Sequence, residues 1–203
     1  MAERKPIISF RNFSFQYRAQ KRPTLTDIDL EIYPGERVLI AGPSGSGKST
    51  LASRLAAATN IPAIHLDQLF WKENWVQRTD EEFDELLAEA LTQPRWIMDG
   101  NFARTLPLRL SFADTLIVYD LPKWRSVAGY FQRLRRYRGS TRPDMTEGCA
   151  EKLDWEFVGY ILKFKRPDLT ALRREFPQLT ILRLRSHRQA ESWLTQLEKQ
   201  FKS

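Results

Sequence analysis

A short apolar run followed by a glycine-rich segment constrains the fold of this chain more than any other feature. Residues 37–41, Arg-Val-Leu-Ile-Ala, have the composition of a buried strand, and Gly42-Pro43-Ser44-Gly45-Ser46-Gly47-Lys48-Ser49 follows at once. A helical pattern then runs over residues 48–59. A glycine-rich loop between a strand and a helix directs backbone N–H groups at phosphate oxygens, and the helix N-terminus adds partial positive charge. The segment therefore predicts a polyphosphate site.

Two side chains of this segment have specific expected roles. Lys48 should reach the β and γ phosphates of ATP or a close relative, and the Ser49 hydroxyl should ligate Mg²⁺. A lysine at a helix N-terminus is unfavourable unless an anion lies beside it, which argues against a glycine-rich turn without a ligand. The predicted nucleotide-binding residues of the segment are Gly42, Pro43, Ser44, Gly45, Ser46, Gly47, Lys48, Ser49 and Thr50.

Strands and helices alternate along the rest of the chain. Apolar strand patterns recur at 63–67, 95–99, 114–119 and 179–184, with helical patterns between the first and second and between the third and fourth of them. This order predicts an α/β fold, a P-loop NTPase with a parallel sheet flanked by helices, whose ligands bind at the carboxyl ends of the strands. Two further strands, at 7–15 and 25–32, precede the sheet and predict an antiparallel β appendage. The expected division is an appendage over 1–34 and a nucleotide-binding domain over 35–203.

The charge of the chain is unevenly distributed. There are 32 basic and 25 acidic residues, a net charge of +7, and the stretch 123–142 has seven basic residues and no acid. Such a cluster serves polyanions, whether nucleic acid, a membrane surface or a nucleotide triphosphate. No apolar run approaches the ~20 residues of a membrane span, and the N-terminus lacks the apolar core of a secretory signal, so a cytoplasmic location is expected. The single cysteine, Cys149, is expected to be inert.

The residues before the glycine-rich segment resemble the opening of ABC-transporter ATPases, in particular the ATPase subunits of vitamin-uptake transporters. The resemblance lies in residues 7–17, 25–32 and Pro34-Gly35-Glu36. It implies that Tyr17 stacks on the adenine ring, and ordinary sheet packing is the alternative for this side chain. Beyond the loop there is no Leu-Ser-Gly-Gly-Gln signature, no strand ending in Asp-Glu at the usual spacing and no Q-loop.

The residues from about 42 onward instead resemble small P-loop kinases of the adenylate-kinase-like class known as DNA topology modulation proteins. The resemblance rests on residues 65–71, 96–102, Asp120-Leu121-Pro122, 135–139 and 141–144. Together the two resemblances imply a fusion joined at or near the phosphate loop, the element that both families share.

The kinase resemblance implies roles for two acids. Asp99 is expected to hold the magnesium shell through water, and a structural acid that caps the following turn is the alternative. Asp67 is expected to orient or deprotonate an acceptor hydroxyl, and a helix-cap or turn role is the alternative. Phosphoryl transfer also requires charge neutralisation by arginines. The predicted catalytic residues are Lys48, Asp67, Asp99, Arg135 and Arg138.

Other residues are weaker candidates. The arginines at 133, 135, 136, 138 and 142 flank an expected lid at about 135–149, with a solvated face or a nucleic-acid patch as alternatives. The loop of Arg185, Ser186 and His187 lies where adenine binds in the kinase class, so this loop and Tyr17 cannot both be the principal adenine contact. Trp71 and Trp75 are candidates for the acceptor site. Arg104 and Arg109 are expected either to bind an anionic acceptor or to form exposed salt bridges. His65 is expected to pack within its apolar strand.

Three hypotheses follow from these features. The first is a kinase that transfers the γ-phosphoryl group of ATP, with Mg²⁺, to a small acceptor. The second is a nucleotide-binding protein that acts on nucleic acid through residues 123–142. The third is a chimera that binds nucleotide without turnover.

Overall fold

A computed structural model describes residues 8–15, 25–32 and 36–202 of the chain. The strands are β1 Ile8–Phe15, β2 Leu25–Ile32, β3 Arg37–Ala41, β4 Ala63–His65, β5 Trp71–Lys72, β6 Val76–Gln77, β7 Trp96–Asp99, β8 Thr115–Tyr119 and β9 Thr180–Leu184. The helices are α1 Lys48–Thr59, α2 Leu66–Phe70, α3 Asp80–Thr92, α4 Leu106–Phe112, α5 Lys123–Arg136, α6 Trp155–Lys163, α7 Leu169–Glu175 and α8 His187–Lys202, with a 3₁₀ turn at Glu73–Trp75.

The central sheet has five parallel strands in the order β4-β7-β3-β8-β9, which confirms the predicted α/β class. Leu39 of β3 pairs with Met98 on one side and with Leu116 on the other. Strands that follow β3 in the chain are added on both of its sides, so β3 is the point where the strand order reverses. A crevice forms at the carboxyl end of such a point, and ligands of open α/β sheets bind there.

The helices cover both faces of this sheet, because alternate strand residues point to opposite sides. Val38 and Ile40 pack against α1 and α8, where Leu51 and Trp193 are fully or almost fully buried. Leu39 belongs to the core on the other face, which includes residues of α3 and α4. A smaller cluster joins α5 to α6 through Tyr130, Val158 and Ile161.

The first two strands form their own sheet. β1 and β2 pair antiparallel, Ile8 opposite Ile32, which confirms the predicted antiparallel appendage. Residues 16–24 and 33–35 lie outside the described part of the chain, so the prediction for Tyr17 and the proposed boundary at residue 34 fall outside it too. Among the described residues, no helix is both long and apolar enough to cross a bilayer.

Local signals explain where the elements begin and end. Thr79 and Glu82 form a capping box at the start of α3, with both reciprocal hydrogen bonds present. The strand predicted over 63–67 is wrong at its end, because β4 stops at His65 and α2 begins at Leu66. Helix α4 was not predicted; its second residue is Pro107, a residue that is tolerated in the first turn of a helix but obscures the helical pattern.

Candidate functional site

The glycine-rich segment adopts a backbone conformation that brings amide groups together. Gly45 and Gly47 have φ of 79° and 88°, in the left-handed region that L side chains rarely adopt. The Ser46 N–H donates to the Pro43 carbonyl, and the Leu51 N–H donates to the Gly47 carbonyl as α1 begins. The first turn of α1 has no acidic residue, which leaves its N-terminus free to bind an anion.

Helix α5 packs backbone to backbone against this loop. A Cβ atom on Gly129 would lie 2.1 Å from the Gly45 carbonyl oxygen, and one on Gly45 would lie 2.1 Å from the Ser126 carbonyl oxygen. No side chain fits at either position. The contact fixes the rotation of α5 about its axis, so that Gln132, Arg133 and Arg136 line the same cavity as Lys48.

Replacing Gly129 with alanine should therefore disrupt the contact between α5 and the loop. Helix propensity alone would make this substitution stabilising by about 0.5–1 kcal/mol. Overpacking against backbone costs about 1–3 kcal/mol, so we expect a lower free energy of unfolding in urea and a higher Kd for ATP. Gly159→Ala on α6 is the matched control, since its Cβ would meet nothing within 4 Å and the protein should be unchanged or more stable. Equal stability gains in both variants would contradict the close contact.

Asp99 lies beside the phosphate loop at the carboxyl end of β7. The Ser49 hydroxyl donates a hydrogen bond of 2.6 Å to Asp99 Oδ2, and His65 Nδ1 contacts Asp99 Oδ1. Burial alone would raise the pKa of Asp99, but the His65 hydrogen bond and the positive charge of Lys48 outweigh burial and lower it. Ser49 and Asp99, the two residues expected to hold Mg²⁺, are thus hydrogen-bonded to each other, and the Asp99 carboxylate is held in the charged form.

His65 does more than pack in an apolar strand. Its backbone pairs with that of Asp99 in the parallel register of β4 and β7, and its ring contacts the carboxylate. Burial would lower the pKa of His65, but the hydrogen bond and the negative charge of Asp99 outweigh it and raise the pKa. The expectation of simple packing is therefore wrong. The signal in the sequence is that both residues end short apolar strands that a parallel sheet can bring side by side.

Ser49 and Asp99 suit Mg²⁺ by their chemistry. Mg²⁺ prefers oxygen ligands and takes only one or two from protein, because it retains waters and substrate phosphates. A hydroxyl and an ionised carboxylate 2.6 Å apart at the phosphate loop provide that donor set. No cluster of three or more His, Cys, Asp or Glu residues that could hold a metal occurs in the described part of the chain.

Asp67 opens into the same cavity. The cavity has a volume of about 730 Å³ and is lined by Lys48 and Ser49 on one side and by Asp67 on another. Burial raises the pKa of Asp67, and the positive charges of Lys48 and Arg142 only partly oppose it. The side chain of Asp67 retains 38% of its exposure. Asp67 lies in the first turn of α2 rather than at the end of a strand, which is compatible with both roles considered for it.

The arginines differ in how they meet the cavity. Arg142 is buried and binds Glu151 at 2.5 Å and Asp144 at 3.0 Å, with Asp67 at 3.9 Å. Arg133 also binds Glu151, at 3.1 Å. Arg133, Arg136 and Arg142 line the cavity, whereas Arg135 and Arg138, the two expected to be catalytic, are exposed and are not among the lining residues.

The expected lid lies against a small hairpin. The Trp75 indole N–H donates to the Ala150 carbonyl, and Thr146 Oγ1 donates to the Trp71 carbonyl at 2.6 Å. Cys149 is buried and donates to the Lys72 carbonyl, in agreement with an inert thiol. Trp71 lines the cavity, but Trp75 does not and instead joins the β5–β6 hairpin to the lid segment.

The two arginines considered for an anionic acceptor have other partners. Arg104 forms exposed salt bridges with Asp80 and Asp84 on α3, one of the two alternatives for it. Arg109 fits neither alternative, because it is fully buried and donates to Thr105 Oγ1 and to the carbonyls of Gly100 and Phe102. Burial lowers the pKa of Arg109 to about 10. Arg109 therefore holds the loop after β7 in place.

The loop after β9 approaches the phosphate loop through one residue. The His187 ring lies 3.7 Å from the position that a Cβ on Gly47 would occupy, and His187 lines the cavity. Arg185 is exposed and is not a lining residue; its backbone N–H donates to the Gln189 side chain. Of the adenine contacts expected here, His187 is the one that the structure places at the cavity.

Comparison with known proteins gives one family and several short matches. The family model described as ABC transporter matches residues 25–137. An ABC transporter ATP-binding protein of Lactiplantibacillus plantarum is 80% identical over 46 residues, which are 23% of this chain and 8% of that protein. One of Enterococcus faecalis is 71% identical over 49 residues, 24% of this chain and 9% of that protein. The chain thus spans less than a tenth of these relatives.

Solved structures with a similar fold are small kinases. A shikimate kinase from Bacteroides thetaiotaomicron has 21% identity and a TM-score of 0.44, and the match covers 83% of this chain and 99% of that one. A gluconokinase from Sinorhizobium meliloti has 15% identity and a TM-score of 0.48, covering 83% of this chain and 96% of that one.

Proposed function

The chain belongs to the ABC transporter family, and from that premise we propose that it binds ATP with Mg²⁺ at the phosphate loop. We further propose that, unlike an ABC ATPase, it transfers the γ-phosphoryl group to the hydroxyl of a small acceptor. One observation carries the proposal. The Asp67 carboxylate and the phosphate-loop residues Lys48 and Ser49 line one cavity of about 730 Å³. A base and a phosphate site that share a cavity of this size leave room for a second substrate between them.

Hydrolysis of the ABC type is the less suitable reaction for this site. In ABC ATPases an acid follows the magnesium-binding aspartate and a partner supplies the signature sequence to complete the site. Here Asp99 is followed by Gly100, and the chain has no Leu-Ser-Gly-Gly-Gln segment. Asp67, on a different element, is one of two acids that line the cavity, with Asp144.

The proposed transfer uses the residues in three ways. The loop amides and Lys48 bind and orient the phosphates, and Arg136, on the cavity face of α5, neutralises charge that builds up on the transferring group. The acceptor oxygen forms a bond to the γ phosphorus as the bond to the bridging oxygen breaks, and the electron pair leaves with ADP. Asp67 accepts the hydroxyl proton. Arg142, 3.9 Å from Asp67, holds that carboxylate in position.

Ser49 and Asp99 are the residues that would hold Mg²⁺. The ion supplies positive charge that neutralises the β and γ phosphates. His65 keeps the Asp99 carboxylate ionised and oriented for this purpose.

The organisation of the chain enters the proposal as well. Residues 1–34 form an ABC-ATPase-like appendage, residues 35–203 form a kinase-like domain with its lid at 135–149, and the two are joined near the phosphate loop. The separate β1–β2 sheet and the five-stranded sheet support this division. We also propose that the residues from about 42 onward are related to DNA topology modulation proteins. Action on nucleic acid through the basic stretch 123–142 is the alternative function, and we favour the kinase over it.

Transfer of a labelled phosphoryl group tests the proposal directly. With ATP labelled at the γ phosphate and a small-molecule extract of bacterial cytosol as the acceptor source, we expect the label in an organic phosphate ester. Label that appears only as inorganic phosphate at every acceptor concentration would show hydrolysis and contradict a kinase. Label that stays in ATP would favour the chimera without turnover.

A further inference from the structure

The cavity has an aromatic end, formed by Phe70, Trp71, Phe102, Phe157 and Tyr160. Phe70 and Phe102 are in contact, with ring centroids 4.9 Å apart and planes tilted by 51°, and Trp71 packs on the edge of Phe70. Phe157 and Tyr160, on α6, are stacked at 23° with centroids 5.9 Å apart. All five line the cavity. Rings on two separate elements suit a flat, apolar group inserted between them.

Two of the arginines that line the cavity are paired with acids. Arg142 is already bound by Glu151 and Asp144, and Arg133 by the same Glu151. Asp67 and Asp144 add negative charge to the lining. A phosphate or carboxylate on the acceptor that bound Arg133 or Arg142 would have to displace an acid from that arginine, which costs free energy.

Asn101 provides a polar group at the aromatic end. Its Nδ2 atom is buried, and the Tyr160 hydroxyl is the one hydrogen-bonding group beside it in the described part of the chain. The preceding Gly100 has φ of 145°, and a Cβ there would lie 2.6 Å from Leu66 Cβ, so the backbone that positions Asn101 admits only glycine. A carboxamide both donates and accepts, which matches the nitrogen and oxygen atoms on the edge of a heteroaromatic ring.

We propose that the acceptor is an uncharged alcohol that carries a planar heteroaromatic ring, held between the Phe70–Phe102 and Phe157–Tyr160 walls and recognised at its edge by Asn101. The inference rests on the proposed kinase function and specifies its acceptor. The ring enters the aromatic end, and its hydroxyl group extends towards Asp67. Nucleosides and pyridoxine share this chemistry. Aliphatic polyols lack the flat ring that the aromatic walls would contact, and a nucleoside monophosphate would bring its phosphate into a cavity that Asp67 and Asp144 also line.

A panel of acceptors with γ-labelled ATP tests the class. The neutral ring alcohols are adenosine, guanosine, cytidine, uridine, thymidine and pyridoxine; the comparison compounds are the nucleoside 5′-monophosphates, glucose and glycerol. We expect a phosphate ester of at least one ring alcohol, with kcat/KM at least tenfold above every comparison compound. Transfer only to a monophosphate or a polyol would overturn the acceptor class while leaving the kinase function intact.

A binding measurement separates failure of the class from failure of the kinase function. Thermal stability is measured with each panel compound in the presence of a non-hydrolysable ATP analogue and Mg²⁺. A stabilising ring alcohol without ester formation would support the class and count against transfer. No stabilisation and no ester with any ring alcohol would overturn the class.

Two variants locate the acceptor. Asn101→Ala should raise KM for the ring alcohol about tenfold, because one hydrogen bond to the acceptor is lost. KM for ATP should be unchanged. Phe157→Leu should raise it about three- to tenfold through lost ring contact. Phe131→Leu is the matched control, since Phe131 lies on α5 with an exposed ring outside the cavity. Acceptor KM values equal to the wild type in both cavity variants would overturn the assignment.

Discussion

Replacing Lys48 with alanine is expected to abolish ATP turnover and to weaken ATP binding by a factor of about 10² or more. Lys48 is buried at the N-terminus of α1 and lines the cavity beside Ser49. Removing one preorganised charge from a site of this kind costs about 10²–10³ in rate. The measurements are the ATP Kd by calorimetry and the rate of ADP release.

The Lys48→Ala substitution should not lower the stability of the protein, although it weakens ATP binding. Without nucleotide, a lysine at the positive end of a helix is unfavourable, and alanine is the best helix former. The free energy of unfolding should therefore be unchanged or slightly raised, while the rise in Tm on addition of ATP disappears. Lys165→Ala, at an exposed lysine outside the cavity, should keep both properties. If the Lys48→Ala protein bound ATP with wild-type affinity, Lys48 would not be part of the ATP site. If the variant failed to fold in the absence of nucleotide, the role of Lys48 would be structural and not ligand binding.

The phosphate loop can be predicted from the sequence because all of its determinants lie in one short segment. The strand, the glycines with positive φ and the helix start are consecutive, so local rules are sufficient to place Lys48 and Ser49. The pairing of Ser49 with Asp99 follows from parallel strands ending at one edge. The contact between Asp99 and His65 could not be predicted in the same way. The two residues are 34 positions apart in the chain, and only the strand order makes them neighbours.

The choice among the arginines could not be made from the sequence. Arg133, Arg135 and Arg136 lie on one helix, and which of them meets the cavity depends on how that helix is rotated. The rotation is set by the contact between Gly129 and Gly45, a tertiary contact between segments far apart in the chain. Arg109 was misjudged for a related reason, because the burial of a charged side chain depends on carbonyl groups that only the folded loop brings together.

The stability of Asp67 variants separates a catalytic from a structural acid. Because burial raises the pKa of Asp67 in the folded protein, the folded state binds the proton more tightly than the unfolded state does. Its contribution to stability therefore decreases as pH rises from the ordinary value of about 3.9 through the raised pKa. Asp67→Asn removes this cost at neutral pH, so the variant should be as stable as the wild type or more stable. If Asp67 only capped a helix, the Asp67→Asn variant would have nearly the activity of the wild type.

Asp67→Asn is expected to reduce acceptor-stimulated ADP release by about 10²–10⁴, with little change in the Kd for ATP, because asparagine keeps the shape of the side chain but cannot accept the proton. In the wild type, kcat/KM for the acceptor should fall as pH is lowered through the raised pKa of Asp67, since only the carboxylate acts as the base. The variant should lack this dependence on pH. Asp84→Asn, which alters an exposed acid paired with Arg104, should retain wild-type activity and pH profile. An Asp67→Asn protein with the wild-type rate and the same acid limb would exclude Asp67 as the base.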